Sequence, residues 1–186
     1  SGSKNAALPI LFASLLADGR HEFDNVPYLK DIESTVQLLD SLGANCHREG
    51  DRLIVDVQSP AAHVADYDMV RKMRAGILCL GPLLARYGEA RVSLPGGCAI
   101  GSRPIDLHIE TMRRLGADIS SEGGYVVARA QRLVGDRILF EKVTVGGTEN
   151  ALMAASLSRG TTVIENAAKE PEVVDLANYL GALGAE

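Results

Sequence analysis

Leu42-Gly43-Ala44 ends an amphipathic stretch that begins at Lys30, and the same triplet ends two later stretches, at Leu115-Gly116-Ala117 and Leu183-Gly184-Ala185. The stops lie about seventy residues apart, a spacing that marks an internal repeat. Before the first, Ile32, Val36 and Leu39 recur at helical spacing with Asp31, Glu33, Gln37 and Asp40 between them. Ile105, Ile109 and Met112 precede the second in the same way, and Val173, Leu176, Leu180 and Leu183 lead into the third. Glycine commonly ends helices because it takes positive φ at low cost, so one such triplet says little. Three of them inside one recurring element order define the fold.

Each amphipathic helix follows an apolar one. Residues 5–17 carry Leu8, Ile10, Leu11, Phe12, Leu15 and Leu16 on nearly every side, which predicts a buried helix, with Pro9 tolerated in the early turns. Met69, Val70, Met73, Ile77, Leu80 and Leu84 predict a second, closed by Gly88, and residues 148–157 a third. Strand patterns occupy 21–26, 45–49, 53–57, 90–94, 118–121, 125–130, 138–140 and 161–165, and 58–65 reads as a linker. The expectation is one α/β domain over 1–186, with units at about 4–58, 65–130 and 137–186 around three buried helices. The third unit lacks its hairpin, so the helix over 172–185 is expected to be poorly covered. The missing hairpin and the absence of an initial methionine suggest part of a longer protein.

Composition narrows the function. With 46% hydrophobic residues the chain can build a sizeable core, and a net charge of −5 argues against bulk attraction to nucleic acid. No tryptophan is present to serve as a stacking platform for single strands. Cys46, Cys79 and Cys98 are odd in number and lack CxxC spacing, which points away from a disulfide framework or structural zinc and toward a reducing compartment. Apolar stretches 6–17 and 75–85 are too short to span a bilayer and no signal peptide is visible, so a cytoplasmic location is expected.

The chemistry is expected at Leu94-Pro95-Gly96-Gly97-Cys98-Ala99-Ile100-Gly101-Ser102-Arg103-Pro104. A thiol on a glycine-rich loop beside an arginine can have a lowered pKa and act as nucleophile or acid, whereas a buried thiol would be inert. Lys4-Asn5, Arg74, Asp106 and Lys142-Val143-Thr144-Val145 are further candidates, three of these groups standing near predicted helix starts. Cations there oppose the helix macrodipole unless an anion sits between them. Glu149 and Glu170 are weaker acid or base candidates with no evident partner. His21, His47, His63 and His108 show no metal-ligand spacing, and there is no Walker A or GxGxxG pattern.

Five segments, Ser3-Lys4-Asn5-Ala6-Ala7-Leu8-Pro9, Met73-Arg74-Ala75, Ser93-Leu94-Pro95-Gly96-Gly97-Cys98, Ile100-Gly101-Ser102-Arg103-Pro104-Ile105-Asp106-Leu107-His108 and Ile164-Glu165-Asn166-Ala167-Ala168-Lys169-Glu170-Pro171-Glu172, together resemble the UDP-N-acetylglucosamine 1-carboxyvinyltransferases. These are the enolpyruvyl transferases of bacterial peptidoglycan synthesis and the targets of fosfomycin. The resemblance covers essentially the whole chain but, by length, one of the family's two domains. It implies an inside-out α/β barrel of βαβαββ units, the third truncated, facing an absent partner domain across an active-site cleft.

It further implies that Lys4 and Asn5 contact phosphoenolpyruvate and that Cys98 is the proton donor. Arg74, Arg103, Pro104, Ile105, Asp106, Leu107, Lys142, Val143, Thr144 and Val145 would line the UDP-N-acetylglucosamine site. The implied reaction needs no metal or cofactor. Its aspartate base and a further arginine belong to the other domain, so the chain alone is expected not to turn over. The alternatives are a non-catalytic module that binds anions or nucleotide sugars, and the shikimate-type transferase, which lacks the cysteine loop.

Overall fold

The computed structural model describes residues 2–58, 64–65, 70, 74–93 and 105–186, with Arg74 described by its backbone alone. Helix α1 (Lys4–Ala13) runs into a 3-10 turn at Ser14–Leu16, and its apolar residues leave almost no polar face. Leu11, Phe12 and Ala13 are all but inaccessible. Pro9 removes the N–H that Asn5 would otherwise accept, which the helix tolerates in its second turn. Strand β1 (Gly19–Phe23) follows, then α2 (Lys30–Ser41), which buries Ile32, Thr35, Leu38 and Leu39 on one face. Strands β2 (Ala44–Glu49) and β3 (Arg52–Val57) form a hairpin, and β1 joins it antiparallel to give the sheet β1-β3-β2.

The second sheet contains a strand that the sequence pattern does not predict. Val64–Ala65, expected to be linker, forms β4, parallel to β5 (Glu89–Ser93) with Val64 opposite Arg91. Two residues are too few to show an alternating pattern, so only pairing reveals them. The described part of the second apolar helix is a 3-10 segment, Arg74–Cys79, followed by α3 (Leu80–Tyr87). Gly88, at φ 72°, caps α3 as expected. Helix α4 (Asp106–Arg114) leads to the hairpin β6 (Asp118–Glu122) and β7 (Tyr125–Arg129), giving the order β4-β5-β7-β6.

Strand β8 (Arg137–Leu139) pairs parallel with β9 (Val163–Glu165) across α5 (Val145–Ala155), and α6 (Pro171–Ala182) closes the described chain. The fold is α/β, but its three sheets are separate and open, and no closed barrel forms among the described residues. Helix α6 is better covered than the sequence suggests. Val173, Leu176 and Leu180 are buried as it packs on α1, and the Tyr179 hydroxyl lies 2.7 Å from His21 Nδ1 on β1.

All three Leu-Gly-Ala triplets cap their helices in the same conformation, with Gly43, Gly116 and Gly184 at φ 94°, 95° and 102°. The Ala117 and Ala185 N–H groups reach back to the Met112 and Leu180 carbonyls at 3.0 Å, which turns each chain away from its helix. Inside, α1 packs on α2 and α6, while α3 packs on α5. The α3 and α5 backbones approach so closely at Gly81 that a Cβ there would collide with Asn150 Oδ1 and lie 2.7 Å from the Asn150 carbonyl. Glycine is required by that approach.

Candidate functional site

The starts of three inner segments border one cavity of about 640 Å³. Lys4 and Asn5 open α1, Ala75 and Ile77 belong to the 3-10 segment, and Val145 and Gly146 open α5. No acidic residue occupies the first turn of α1 or α5. Their free N–H groups and positive dipole ends are left to whatever enters, a setting suited to an anion. Thr144 is the N-cap of α5, its Oγ1 accepting the Gly147 N–H at 3.1 Å. Lys4 Nζ meets Asp31 Oδ2 at 2.8 Å, with the side chains 43% and 47% exposed. An ion pair that exposed contributes at most about 1 kcal/mol, so an anion can draw Lys4 away from it.

Two neutral groups complete the wall. Glu149 is only 4% exposed, and its carboxyl has no hydrogen bond among the described residues. Burial, followed by the charges of Glu172 and Glu170, pushes its pKa up to about 8, so it is largely protonated at neutral pH. His108 is 7% exposed, and burial pushes its pKa down to about 4. Its Nδ1 lies 3.0 Å from Asn150 Nδ2. Among the described residues the lining thus holds one cation, Lys4, the carboxylates of Asp31 and Glu172, and the neutral His108 and Glu149.

The structure divides the residues singled out in the sequence. Lys4, Asn5 and Val145 share this cavity, while Ile105, Asp106 and Leu107 line a second one of about 930 Å³ between α4 and strands β6 and β8. Lys142 and Val143 line neither, and Val143 is 57% exposed. Cys98, Arg103 and Pro104, with the Arg74 side chain, lie outside the described residues.

Burial disfavours the thiolate at both described cysteines. Burial raises the Cys79 pKa to about 12, and burial with nearby Asp40 raises that of Cys46. Sequence reasoning weighed His108 only as a metal ligand, did not single out Asn150 and could find no partner for Glu149. The available signal was Thr148-Glu149-Asn150 itself, three adjacent polar residues inside an otherwise apolar helix.

Three open sheets around inner helices make an α/β scaffold that gathers the starts of α1 and α5 on one cavity. The family model described as EPSP synthase (3-phosphoshikimate 1-carboxyvinyltransferase) matches residues 1–186, and the chain belongs to that family. A UDP-N-acetylglucosamine 1-carboxyvinyltransferase of Bdellovibrio bacteriovorus is 62% identical over 186 residues, covering 100% of this chain and 45% of its own length. One from Cellvibrio japonicus is 57% identical over 187 residues, covering 100% and 44%. The chain therefore spans less than half the length of these relatives.

Among solved structures, the enolpyruvyl transferase NikO from Streptomyces tendae superposes with a TM-score of 0.88 at 23% identity, over 100% of this chain and 44% of that one. EPSP synthase from Acinetobacter baumannii gives 0.68 at 17% identity, over 93% and 41%. At these identities the likeness concerns the fold alone. No helix among the described residues is long and apolar enough to cross a membrane.

Proposed function

We propose that the chain is the cysteine-loop part of an enolpyruvyl transferase, working with a second domain to move the enolpyruvyl group of phosphoenolpyruvate onto the 3-hydroxyl of UDP-N-acetylglucosamine. What carries this reading is 62% identity along all 186 residues to a protein named for that activity. The gathering of Lys4, Asn5 and the α5 start on one cavity supports it independently. The 186 residues are one domain of three units, about 4–58, 65–130 and 137–186, whose missing half supplies the remaining groups.

The sugar hydroxyl oxygen bonds to C2 of phosphoenolpyruvate and loses its proton to a base, while C3 gains a proton from Cys98. The tetrahedral intermediate then loses a C3 proton as the C2–O bond to phosphate breaks, which restores the double bond and releases phosphate. Lys4 and the helix starts stabilise phosphate charge. Protonated Glu149 and neutral His108 line the pocket without adding negative charge against the incoming anion. Arg74, Arg103, Pro104, Ile105, Asp106, Leu107 and Lys142 through Val145 hold the nucleotide sugar.

Phosphate release and nucleotide-sugar binding, measured for the chain with and without the remaining domain, test this reading. Binding by the chain alone with turnover only on recombination is expected. Turnover by the chain alone contradicts the need for a second domain, and absence of nucleotide-sugar binding in both contradicts the substrate. Full activity of a recombined Cys98→Ser variant would favour the shikimate-type reading.

A further inference from the structure

Asn150 is fully buried, and every polar atom of its side chain is committed. Its Oδ1 accepts the Gly81 N–H at 2.8 Å, while Nδ2 donates to the Ile77 carbonyl at 3.0 Å. The amide cannot be turned over, because that would set NH₂ against an N–H and oxygen against a carbonyl. The second Nδ2 hydrogen therefore faces His108 Nδ1, 3.0 Å away, and Nδ1 must accept it. A neutral ring whose Nδ1 accepts carries its proton on Nε2. His108 Nε2 has no partner among the described residues, although the residue is only 7% exposed. It lies against the start of α5, where a Cβ added to Gly146 would come 3.6 Å from it. The Val145 and Gly146 N–H groups at that start have no intrahelical acceptor.

We propose that Asn150 is a positioning residue that locks His108 as the neutral Nε2–H tautomer, adding a side-chain N–H to the α5 amides as a donor set for a phosphoryl oxygen. The inference rests on the phosphoryl-ligand reading of the cavity. It explains why a committed amide sits in the contact between α3 and α5. It also explains why Gly81 has no side chain, since a Cβ would displace the Asn150 oxygen. The charged groups sharing the cavity with His108 are Lys4 on α1, Asp31 on α2, Glu149 on α5 and Glu172 on α6, and Asp106 lies on its own helix.

Nitrogen-15 NMR of the histidine rings in the unaltered 186-residue chain tests the lock directly. His108 should show the Nε2–H pattern from pH 8 down to pH 5, without titration near the usual imidazole value. The Nδ1–H pattern or an ordinary titration would overturn the inference. Inorganic phosphate and UDP-N-acetylglucosamine are then added separately, to separate a free phosphate site from a diphosphate site. Either should shift the Nε2–H resonance. Binding that leaves it unmoved overturns the donor role while leaving the proposed function standing, whereas failure of both ligands to bind, with and without the remaining domain, overturns the function and the inference together.

Asn150→Asp replaces the Nδ2 donor with an acceptor, so Nδ1 must take a proton and the ring titrates in the ordinary range. The affinity of this variant, relative to the unaltered chain, should fall about tenfold between pH 5.5 and pH 8 as Nε2 changes from donor to acceptor. Taking the ratio cancels the ligand's own titration. A ratio that does not change with pH counts against the lock, and if the variant does not fold, the spectrum of the unaltered chain decides.

Discussion

Replacing Glu149 with glutamine should stabilise the protein increasingly as pH rises. In the folded chain the carboxyl loses its proton near pH 8, against an ordinary value of 4.5 in the unfolded chain. The folded state therefore binds more protons between those values. The contribution is fully present below pH 4.5 and is lost as pH rises through 8. Integrating that linkage from pH 5 to pH 7 gives about 2.5 kcal/mol lost by the parent protein. The Glu149→Gln variant escapes that loss, since an amide does not titrate. A chain of this size shifts by about 2–4 °C per kcal/mol, so the gap in Tm between variant and parent should widen by roughly 5–10 °C over that range. Thermal melts at pH 5 and pH 7, at matched ionic strength, measure it. A gap that stays constant would mean that the carboxyl ionises at its ordinary pH and that the burial argument is wrong. Glu172→Gln should narrow the widening, because Glu172 is the larger charge contribution to the shift.

Tyr179→Phe leaves His21 Nδ1 without its 2.7 Å partner between α6 and β1, and should cost about 1 kcal/mol in a denaturant melt. Gly81→Ala forces α3 and α5 apart at Asn150 and should cost about 1–3 kcal/mol. Gly116→Ala meets no atom within 4 Å and should cost only the backbone term at φ 95°, about 1–2 kcal/mol. Alkylation at pH 7 with peptide mapping should label Cys98 first, because Cys46 and Cys79 both have raised pKa values; early labelling of Cys46 would contradict this. UDP-N-acetylglucosamine should raise Tm in a dose-dependent manner, less so in Arg103→Ala, and an equal rise with sodium chloride would reduce the effect to screening.

The helix stops and the faces of the outer helices were legible in the amino-acid sequence because their causes are local. A glycine that must take φ near 95° follows a leucine on the apolar stripe in each triplet, and both features act within a turn or two of chain. The buried character of α1 followed from its composition for the same reason. Lys4, Asn5 and Val145 could be named as helix-start residues, and the cavity they share depends on how the helices pack. Strand β4 exists only because β5 lies beside it, and two residues cannot announce a partner more than twenty positions away. The neutrality of Glu149 and the tautomer of His108 were likewise decided by tertiary structure. A carboxyl's pKa depends on the water removed from it and the charges brought near it, and an imidazole's proton goes where its neighbour does not donate. Glu170 and Glu172 approach Glu149 from the start of another helix, and Asn150 reaches His108 across 42 positions of sequence. Only folding brings those groups together.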